Sequence, residues 1–360
     1  MRSRLTVDVV GCGEIAQIMH LPHLLERSDV CTVRAICERD PHVLKGVADR
    51  FGIAATFTDH REMLRTSPAD VLVVLTSGDH ASIVDDALDA GMDVFVEKPL
   101  CYSTKDAHAL ARKAKELGRT VMVGYSRLFD TAFGALWDEV REEPGPVYLR
   151  AEASLPMDYH FRAHLDVVRP LDWTPPAAAP EWGGSWEYLR QEVLFNLAIH
   201  EVYLLRVLTG IQRPELRLVT DVLDRRGVEA IWQDGGNRHV SMGVLTLDTV
   251  AGGYVEEIRA VTGDATHVLD YPSIYLKNVP ATLSTTRLRD GALVESTVPG
   301  SYVSPFKAEL DHFFDVLSEG RPCLSPAEDA AHDVETLNRI HAAARENGEA
   351  RKDGAKRDDQ

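Results

Sequence analysis

Short apolar runs alternate with amphipathic stretches through the first third of the chain. The apolar runs are rich in valine and bounded by turn residues, which predicts strands, whereas the stretches between them have helical spacing. The predicted strands are Leu5–Val10, Val30–Glu38, Ala54–Phe57, Val71–Thr76, Val94–Val96 and Thr120–Gly124. The predicted helices are Glu14–Glu26, His42–Phe51, His60–Arg65, His80–Ala90 and Thr104–Leu117. Pro22 should kink or end the first helix. This alternation favours a parallel sheet with right-handed crossovers.

The pattern changes after residue 128. A helix over Thr131–Arg141 and a strand over Val147–Ser154 precede an irregular, proline-rich stretch from Leu155 to Gly184. A long helix over Trp186–Leu208 follows. Alternating strands without intervening helices then predict a largely antiparallel sheet. These strands are Ala230–Gln233, His239–Leu247, Gly253–Ile258, His267–Tyr271, Ser273–Lys277, Ala281–Leu288 and Ala292–Thr297.

Two closing helices are predicted at Pro305–Glu319 and Pro326–Arg345. The chain is therefore expected to be an α/β protein with a parallel-sheet domain over residues 1–128. An α+β domain on an open, largely antiparallel sheet would occupy residues 129–345. The charged stretch 346–360 is predicted to be a disordered tail.

Composition excludes some classes of partner. The net charge of −17 at pH 7 argues against nucleic acid, because phosphates would be repelled. The five cysteines form no C-x-x-C pair, which favours reduced thiols and a cytoplasmic location. No signal peptide is expected, because a strand begins almost at once. No apolar run approaches the roughly 20 residues of a membrane span.

A glycine-rich turn follows the first predicted strand. Gly11, Gly13 and Ala16 form a Gly-x-Gly-x-x-Ala pattern between a strand and a helix, the order of a dinucleotide-binding βαβ unit. Gly11 allows the tight turn, and Gly13 lets the backbone approach a pyrophosphate. The helix opens at Glu14 and Ile15, where free N–H groups favour an anion. The alternative is an ordinary turn of an α/β fold.

Glu38 lies at the end of the second predicted strand, about where ribose hydroxyls need an acceptor. A carboxylate there can bind both hydroxyls and repels a 2′-phosphate, which predicts NAD as the cofactor. Arg39 complicates this choice, because it could stack on adenine or accommodate the phosphate of NADP. Both could also be a solvated charge pair.

Two further turns lie at the carboxyl edge of the predicted sheet, where ligands bind. Thr76 and His80 follow one strand, and Glu97 and Lys98 follow the next. Pro99 stiffens the turn that carries Lys98. We expect these turns to line the cofactor site; the alternative for Lys98 is a solvated surface lysine.

The second half of the chain contributes histidines. His160 and His164 have the spacing of a helical metal pair, but no third ligand is evident, so no metal is predicted and a substrate loop or plain packing is favoured. Asn196 and His200 are four residues apart on the long helix and should share a face, with Tyr203 close to it. A lone helical histidine is usually a core residue.

Together these motifs resemble the glucose–fructose oxidoreductase / inositol dehydrogenase / rhizopine-catabolism (Gfo/Idh/MocA) family. Glu97-Lys98-Pro99 is the most specific matching piece. The other matching pieces are the glycine turn through Ala16, His20-Leu21-Pro22, Glu38, Thr76 with His80, Tyr125-Ser126-Arg127, His200 and the stretch from Phe306 to Pro322.

The resemblance implies an N-terminal Rossmann domain and reversible NAD(P)-dependent oxidation of a carbinol. It places Lys98 near the nicotinamide and the reacting oxygen, and it makes His200 an assistant in proton transfer. Tyr125, Arg127, His160 and Asn196 become candidates for substrate contact, together with His200.

One departure from the family concerns the long helix. The family often has Asp-x-Gly-x-His-x-x-Asp there, whereas this chain has Asn196 and Tyr203 at the two aspartate positions. Asn196 can hydrogen-bond a hydroxyl but cannot act as a base.

We therefore predict an NAD-dependent dehydrogenase that acts on a CH–OH group of a sugar, glycoside or cyclitol, with Lys98 as general acid/base and His200 assisting. Two alternatives remain: a non-catalytic ligand-binding regulator, or an oxidoreductase on a non-sugar substrate such as a dihydrodiol or a cyclic imine.

A homodimer or homotetramer is expected, because one sheet face lacks a helical cover. Its candidate contacts are Val244, Tyr254 and Ile258.

Overall fold

The computed structural model describes residues 4–66, 69–156, 164–174, 184–233, 238–247 and 254–358. The chain forms two compact units, which are discontinuous in sequence and so differ from the continuous ranges predicted above. The first unit comprises Met1–Ser126, His164–Pro175 and Pro305–Val334. The second comprises Arg127–Ala163, Pro176–Ser304 and Glu335–Gln360.

The first unit is built on six parallel strands. They are β1 Leu5–Val10, β2 Cys31–Cys37, β3 Ala55–Phe57, β4 Val71–Val74, β5 Asp93–Glu97 and β6 Val121–Gly124. Their spatial order is β3-β2-β1-β4-β5-β6. Successive strands are therefore added on one side of β1 up to β3, and on its other side from β4 onward. Strands β4 and β6 are buried at every position, as expected for a sheet covered on both faces. Ligands of such sheets bind at the carboxyl ends of the strands near the point where the strand order reverses.

Capping residues fix the helices of the first unit. Asp40 accepts from the N–H groups of His42 and Val43 at 2.8 and 2.9 Å, and Gly52 ends the same helix in the left-handed conformation. Ser103 caps the helix that runs to Leu117 by accepting from Asp106. The helices are α1 Leu21–Glu26, α2 Pro41–Phe51, α3 His60–Thr66, α4 Ala81–Asp89 and α5 Thr104–Leu117.

Pro22 does not end the first helix. A π-helical segment, Ala16–His20, runs directly into α1, and the Leu21 N–H donates to the Ala16 carbonyl across the junction. Proline lacks an N–H but is accepted in the first turn of an α-helix. Pro22 therefore lies where the helix changes type, and the helix continues to Glu26.

The second unit is built on an eight-stranded sheet. Its strands are β7 Val147–Pro156, β8 Glu215–Val222, β9 Gly227–Gln233, β10 Arg238–Leu247, β11 Val255–Val261, β12 Ala265–Asp270, β13 Thr282–Arg289 and β14 Ala292–Pro299. Their order is β14-β13-β12-β11-β7-β10-β9-β8. Only the β7–β10 pairing in it is parallel, which confirms the predicted, largely antiparallel sheet.

The helices of the second unit include a second π-helical segment. The stretch predicted as one α-helix consists of α7 Trp186–Tyr188, a π segment Leu189–Ala198 and α8 Ile199–Thr209. Helix α6 Thr131–Arg141 precedes them. Two closing helices follow the sheet: α9 Pro305–Glu319 in the first unit, and α10 Ala327–Asp358, whose residues divide between the units after Val334. Among the helices within the described ranges, none has the length and apolar character of a membrane span.

Two strand predictions were wrong. Residues Ser273–Lys277 form turns rather than a strand, because Pro272 offers no N–H to a sheet and the Leu276 N–H closes a turn on the Ser273 carbonyl at 2.9 Å. Strand Glu215–Val222 was not predicted. It lies at the sheet edge, and its apolar alternation is broken because the register shifts between Leu216 and Leu218 and leaves Leu218 exposed.

The predicted disordered tail from Glu346 is also corrected, since α10 continues to Asp358. Two side chains of its last described turns contact strand β8. Asn347 donates to the Val219 carbonyl at 2.9 Å, and Arg351 donates to Asp221 at 3.1 Å. Arg351 thus has a charged partner on the sheet, which composition alone does not reveal.

The residues predicted to face a partner subunit were assigned to the wrong side of the sheet. Val244 and Ile258 are 1 and 2 % exposed, and Tyr254 is half-buried. Side chains alternate along a strand, so an error of one residue in the assumed phase exchanges the two faces. Exposed apolar residues lie instead on β13 and β14, where Leu288 and Leu293 form an exposed cross-strand pair.

All five cysteines are free. Burial raises the pKa of the Cys31 thiol to about 11 and the pKa of the Cys37 and Cys101 thiols to about 12. These thiols are therefore protonated at neutral pH and have the character of packing residues rather than nucleophiles.

Candidate active site

The glycine turn after β1 is held between two neighbouring strands. Gly11 has a φ of +94°, and a Cβ on it would lie 2.6 Å from both the Leu75 carbonyl carbon and the Thr76 nitrogen. Its N–H donates to the Cys37 carbonyl at 2.9 Å. Glycine is required here twice over, by the left-handed backbone and by the close approach of the strand end.

The second glycine has the opposite surroundings. Gly13 is exposed, and a Cβ on it would meet nothing within 4 Å. Glu14 and Ile15 form the first helical residues after it, and the Gln17 N–H donates to the Gly13 carbonyl at 3.1 Å. Open space beside the start of a helix is suited to an anionic group.

A contact missed by the sequence analysis fixes residues 164–174 beside this turn, within the first unit. The Gln17 amide donates to the carbonyls of Cys12 and Val168 at 2.9 Å each, and it accepts from the Val168 N–H at 2.8 Å. Arg169 lies 3.4 Å from the Glu14 carboxylate. A lone glutamine inside a predicted helix gave no signal of this role.

Glu38 lies beside the glycine turn, and its contact with ribose hydroxyls stays a prediction. Its carboxylate accepts from the N–H of Cys12 at 2.9 Å and from the N–H of Asp40 at 3.2 Å. Two main-chain donors therefore hold an acceptor at the end of β2. Arg39 is exposed next to it.

The turn after β4 carries Thr76 and His80. The Thr76 hydroxyl is buried and has no hydrogen-bond partner within the described residues, so it is open to a polar group of a ligand. His80 is fully buried, and its Nδ1 and Nε2 lie 2.7 and 2.6 Å from the carbonyl oxygens of Pro99 and Thr76. The ring ties the two turns together; contact of His80 with a cofactor stays a prediction.

Lys98 follows β5 and is half-buried. Its backbone N–H donates at 3.1 Å to the carboxylate of Glu97, which is buried. Burial raises the pKa of Glu97, but the hydrogen bond and charge of His20 and the charge of Lys98 outweigh burial and hold that pKa below its ordinary value. Lys98 therefore has an anion as its immediate neighbour at the carboxyl edge of the sheet.

The candidates for substrate contact fall in different units. Tyr125, directly after β6, is fully buried in the first unit. Arg127, Asn196 and His200 belong to the second unit. His160 lies outside the described residues, and its predicted role stays untested.

Arg127 forms a buried ion pair that the sequence analysis did not foresee. Its guanidinium contacts both carboxylate oxygens of Glu256, one of them at 2.5 Å, and lies 3.1 Å from the Tyr254 hydroxyl. Burial lowers the pKa of Arg127, but the charge of Glu256 raises it by more, so Arg127 stays charged. Glu256 is 2 % exposed. A glutamate at an alternating position of a predicted strand looks like a surface residue, so sequence gave no sign of this pair.

His200 and Asn196 are in unlike surroundings, although both were predicted on one helical face. His200 is buried, and its Nδ1 lies 3.3 Å from the Tyr203 hydroxyl. Asn196 is exposed, and its amide donates to Glu192 at 3.3 Å. Asn196 lies in the π segment and His200 in α8, so the 3.6-residue periodicity does not relate them. π-Helical turns often occur at functional sites.

Part of the chain matches a known protein family. Residues 5–125 match the family model GFO_IDH_MocA, described as an oxidoreductase family with an NAD-binding Rossmann fold. The chain is 31% identical over 138 residues to scyllo-inositol 2-dehydrogenase (NAD(+)) of Bacillus subtilis, covering 37% of this chain and 39% of the relative. It is 27% identical over 128 residues to D-glucoside 3-dehydrogenase of Escherichia coli, covering 35% and 36%. The matches thus span under two fifths of these curated relatives.

The fold extends over nearly the whole chain. The crystal structure of KijD10, a 3-ketoreductase from Actinomadura kijaniata in complex with NADP, superposes with a TM-score of 0.72 and 19% identity. The match covers 95% of this chain and 98% of that one. At this identity the comparison establishes the fold of both units.

Proposed function

We propose that the protein is an NAD-dependent dehydrogenase, and the match of residues 5–125 to the GFO_IDH_MocA oxidoreductase family model supports this proposal. The reaction is oxidation of a CH–OH group of a sugar, glycoside or cyclitol by hydride transfer to nicotinamide. The observation that carries the proposal is the glycine turn after β1, with Glu38 bound to its backbone and open space beside Gly13. The relatives that act on an inositol and on a glucoside support the substrate class.

The residues fit a dinucleotide. The space beside Gly13 would be filled by a Cβ, and the Thr76 hydroxyl is a buried polar atom without a partner among the described residues. Gly11, Gly13, Glu14 and Ile15 would hold the pyrophosphate. The ribose would lie at Glu38 and Arg39, and the nicotinamide end near the turns that carry Thr76, His80, Glu97 and Lys98.

Glu38 favours NAD over NADP, because its carboxylate accepts from ribose hydroxyls and repels a 2′-phosphate. Arg39 is exposed and would have to outweigh that charge for NADP to be preferred.

Nicotinamide supplies the hydride acceptor at its C4 atom when NAD is bound. Lys98 takes the hydroxyl proton as the carbinol is oxidised and returns it in the reverse direction. The Glu97 anion beside it keeps the protonated lysine stable after transfer. His200 assists, with its ring oriented by the Tyr203 hydroxyl, and Tyr125, Arg127, His160 and Asn196 are proposed to contact or orient the substrate.

A dehydrogenase screen tests this proposal. Purified protein is mixed with NAD and a panel of inositols, glycosides, free sugars and nucleotide sugars, and NADH absorbance is followed. Turnover of one class above the rest supports an enzyme. Dihydrodiols and cyclic imines are tested in the same way. Binding of NAD without turnover of any of these compounds would favour a ligand-binding regulator.

We also propose a homodimer or homotetramer and a cytoplasmic location. The exposed cross-strand pair Leu288 and Leu293, 58 and 73 % accessible, supports burial of the β13–β14 edge by a second copy. Five free cysteines support a reducing compartment. Light scattering tests the first point: Leu293→Glu should lower the measured mass, and a wild-type monomer at micromolar concentration would refute the assembly.

A further inference from the structure

Three ionisable side chains meet inside the first unit, in a group we call the buried triad. His20 comes from the first π segment, Glu97 from the end of β5 and Glu309 from helix α9. One nitrogen or oxygen atom from each lies within 4.8 Å of the others. His20 and Glu309 are completely buried, and Glu97 is 8 % exposed.

Within the described residues, His20 and Glu97 form hydrogen bonds and the Glu309 carboxyl group does not. His20 Nε2 lies 2.7 Å from Glu97 Oε1, and Glu97 Oε2 accepts from the Lys98 N–H. Neither carboxyl oxygen of Glu309 has a hydrogen-bond partner among the described residues. Phe95 and Phe306 lie 5.5 Å from the His20 ring, so the surroundings are apolar.

Charge balance decides where a proton lies. Two ionised carboxylates in an apolar interior are strongly unfavourable unless they are compensated, and a single histidine can compensate one. Glu97 has His20 and Lys98 as favourable neighbours, so it is the group that stays ionised. Burial, and then the charge of Glu97, raises the pKa of Glu309 well above its ordinary value.

The other elements packed on α9 do not change this balance. Helix α1 carries His23 and Glu26, and Glu26 is paired with Lys307 at 2.7 Å. Burial lowers the pKa of His23, so it brings little positive charge. Strand β6 carries no ionisable residue. Among the described residues, Glu97 is the only charged group that shifts the pKa of Glu309.

We propose that Glu309 is a neutral carboxylic acid at neutral pH and that it positions Lys98 by confining the negative charge of the buried triad to Glu97. A proton on Glu309 leaves Glu97 as the single anion of the triad. That anion accepts from the backbone N–H of Lys98, and the charge of Lys98 favours it. Glu309 is thus a positioning residue for the proton transfer assigned to Lys98. The part that concerns Lys98 rests on the proposed function; the charge state of Glu309 does not.

The charge state is tested by stability, without any substrate. Glu309→Gln keeps the shape of the side chain and a hydrogen-bond donor, but the amide cannot ionise. Since the raised pKa means that only the unfolded chain releases the Glu309 proton above about pH 4.5, wild type should lose stability relative to the variant as pH rises. The unfolding equilibrium constant of wild type should grow up to about tenfold per pH unit relative to Glu309→Gln between about pH 4.5 and 7.

Glu319→Gln removes an exposed carboxylate from the same helix and is the matched control. Its unfolding curves should follow those of wild type across this range. Parallel curves for wild type and Glu309→Gln would mean that Glu309 is ionised in the fold, which overturns the proposal. A stoichiometric divalent cation in purified wild type that is lost in Glu309→Gln would overturn it as well, because the cation would then balance both charges.

The positioning role is tested by kinetics. Glu309→Leu removes the neutral polar group that lies within 4.8 Å of the Glu97 carboxylate, which disfavours the Glu97 anion and hence the ammonium form of Lys98. The pKa that governs kcat/KM should move to lower pH by roughly 0.5–1 unit, and Glu309→Gln should restore the wild-type profile. Should Glu309→Leu not fold, Glu309→Met serves as the apolar variant. An unchanged profile would overturn the positioning role. Absence of turnover in wild type would overturn the proposed function, whereas the stability result would still decide the charge of Glu309.

Discussion

Glu38 and His80 in the first unit are held in place by a different kind of partner from Arg127 and His200 in the second unit. In the first unit, Glu38 and His80 contact main-chain atoms: N–H groups of the turns next to Glu38, and carbonyl oxygens on both sides of the His80 ring. In the second unit, Arg127 is held by the side chains of Glu256 and Tyr254, and His200 contacts the Tyr203 hydroxyl.

The difference has an energetic consequence. Replacing Glu38, which is held by the backbone, leaves uncharged N–H groups without a partner, and this costs less than leaving a buried charge unpaired. A buried charge held by one side chain loses its only compensation when that side chain is removed. Substitution of Glu38 should therefore alter cofactor binding more than stability, whereas substitutions in the Arg127 pair should alter the stability of the fold.

The largest effect is expected at Glu256. Glu256→Ala leaves the buried Arg127 charge unpaired and should reduce the free energy of unfolding by about 3–5 kcal/mol. Denaturant titration measures the loss. The double variant Arg127→Met with Glu256→Leu removes both charges and should recover most of it. A loss below about 1 kcal/mol in the single variant would show that the pair is solvated and would remove the contrast between the units.

The next effect is on chemistry rather than stability. Lys98→Met keeps the length of the side chain but removes the amine, and general acid–base groups contribute about 10²–10⁴-fold, so kcat should fall at least about 100-fold. The dissociation constant of NAD, measured by fluorescence, should change little. His200→Ala should give a smaller loss, because another proton path can partly substitute.

Single-turnover hydride transfer is the decisive measurement for Lys98→Met. Equal rates in the variant and in wild type would mean that the proton leaves through another group. The role assigned to Lys98 would then be abandoned, although the fold and the cofactor site would be unaffected.

The same contrast explains how much could be predicted from sequence. In a parallel sheet, ligand residues follow the strand ends, so Gly11, Glu38 and Lys98 could be located from the order of strands and turns alone. Glu256 and Arg127 are 129 positions apart in the chain, and local pattern contains no information about such long-range contacts. Glu309 was missed for the same reason, since it approaches Glu97 across 212 positions of the chain.

The two glycines of the turn separate folding from cofactor binding. Gly11→Ala places a Cβ 2.6 Å from backbone atoms at a positive φ, so it should cost about 1–3 kcal/mol of stability. Gly13→Ala meets open space, so without cofactor its stability should stay within about 0.5 kcal/mol of wild type. With cofactor present, Gly13→Ala should weaken NAD binding, because the Cβ occupies the space proposed for the pyrophosphate. Equal melting temperatures of the two variants would contradict the geometry of the turn.

The smallest expected effect is on the choice between cofactors. Glu38→Gln keeps an acceptor for the Cys12 N–H but removes the charge that repels a 2′-phosphate, so the ratio of kcat/KM for NAD to that for NADP should fall by about tenfold. The fold should be nearly unaffected, since Glu38 is held by main-chain groups. Arg39→Ala in the Glu38→Gln background shows whether the exposed guanidinium contributes to NADP binding. Any increase in kcat/KM for NADP that depends on Arg39 is then lost. If wild type itself strongly prefers NADP, Arg39 decides the specificity and the carboxylate does not. A backbone-held acidic residue at the end of β2 would then be no guide to the cofactor in this chain.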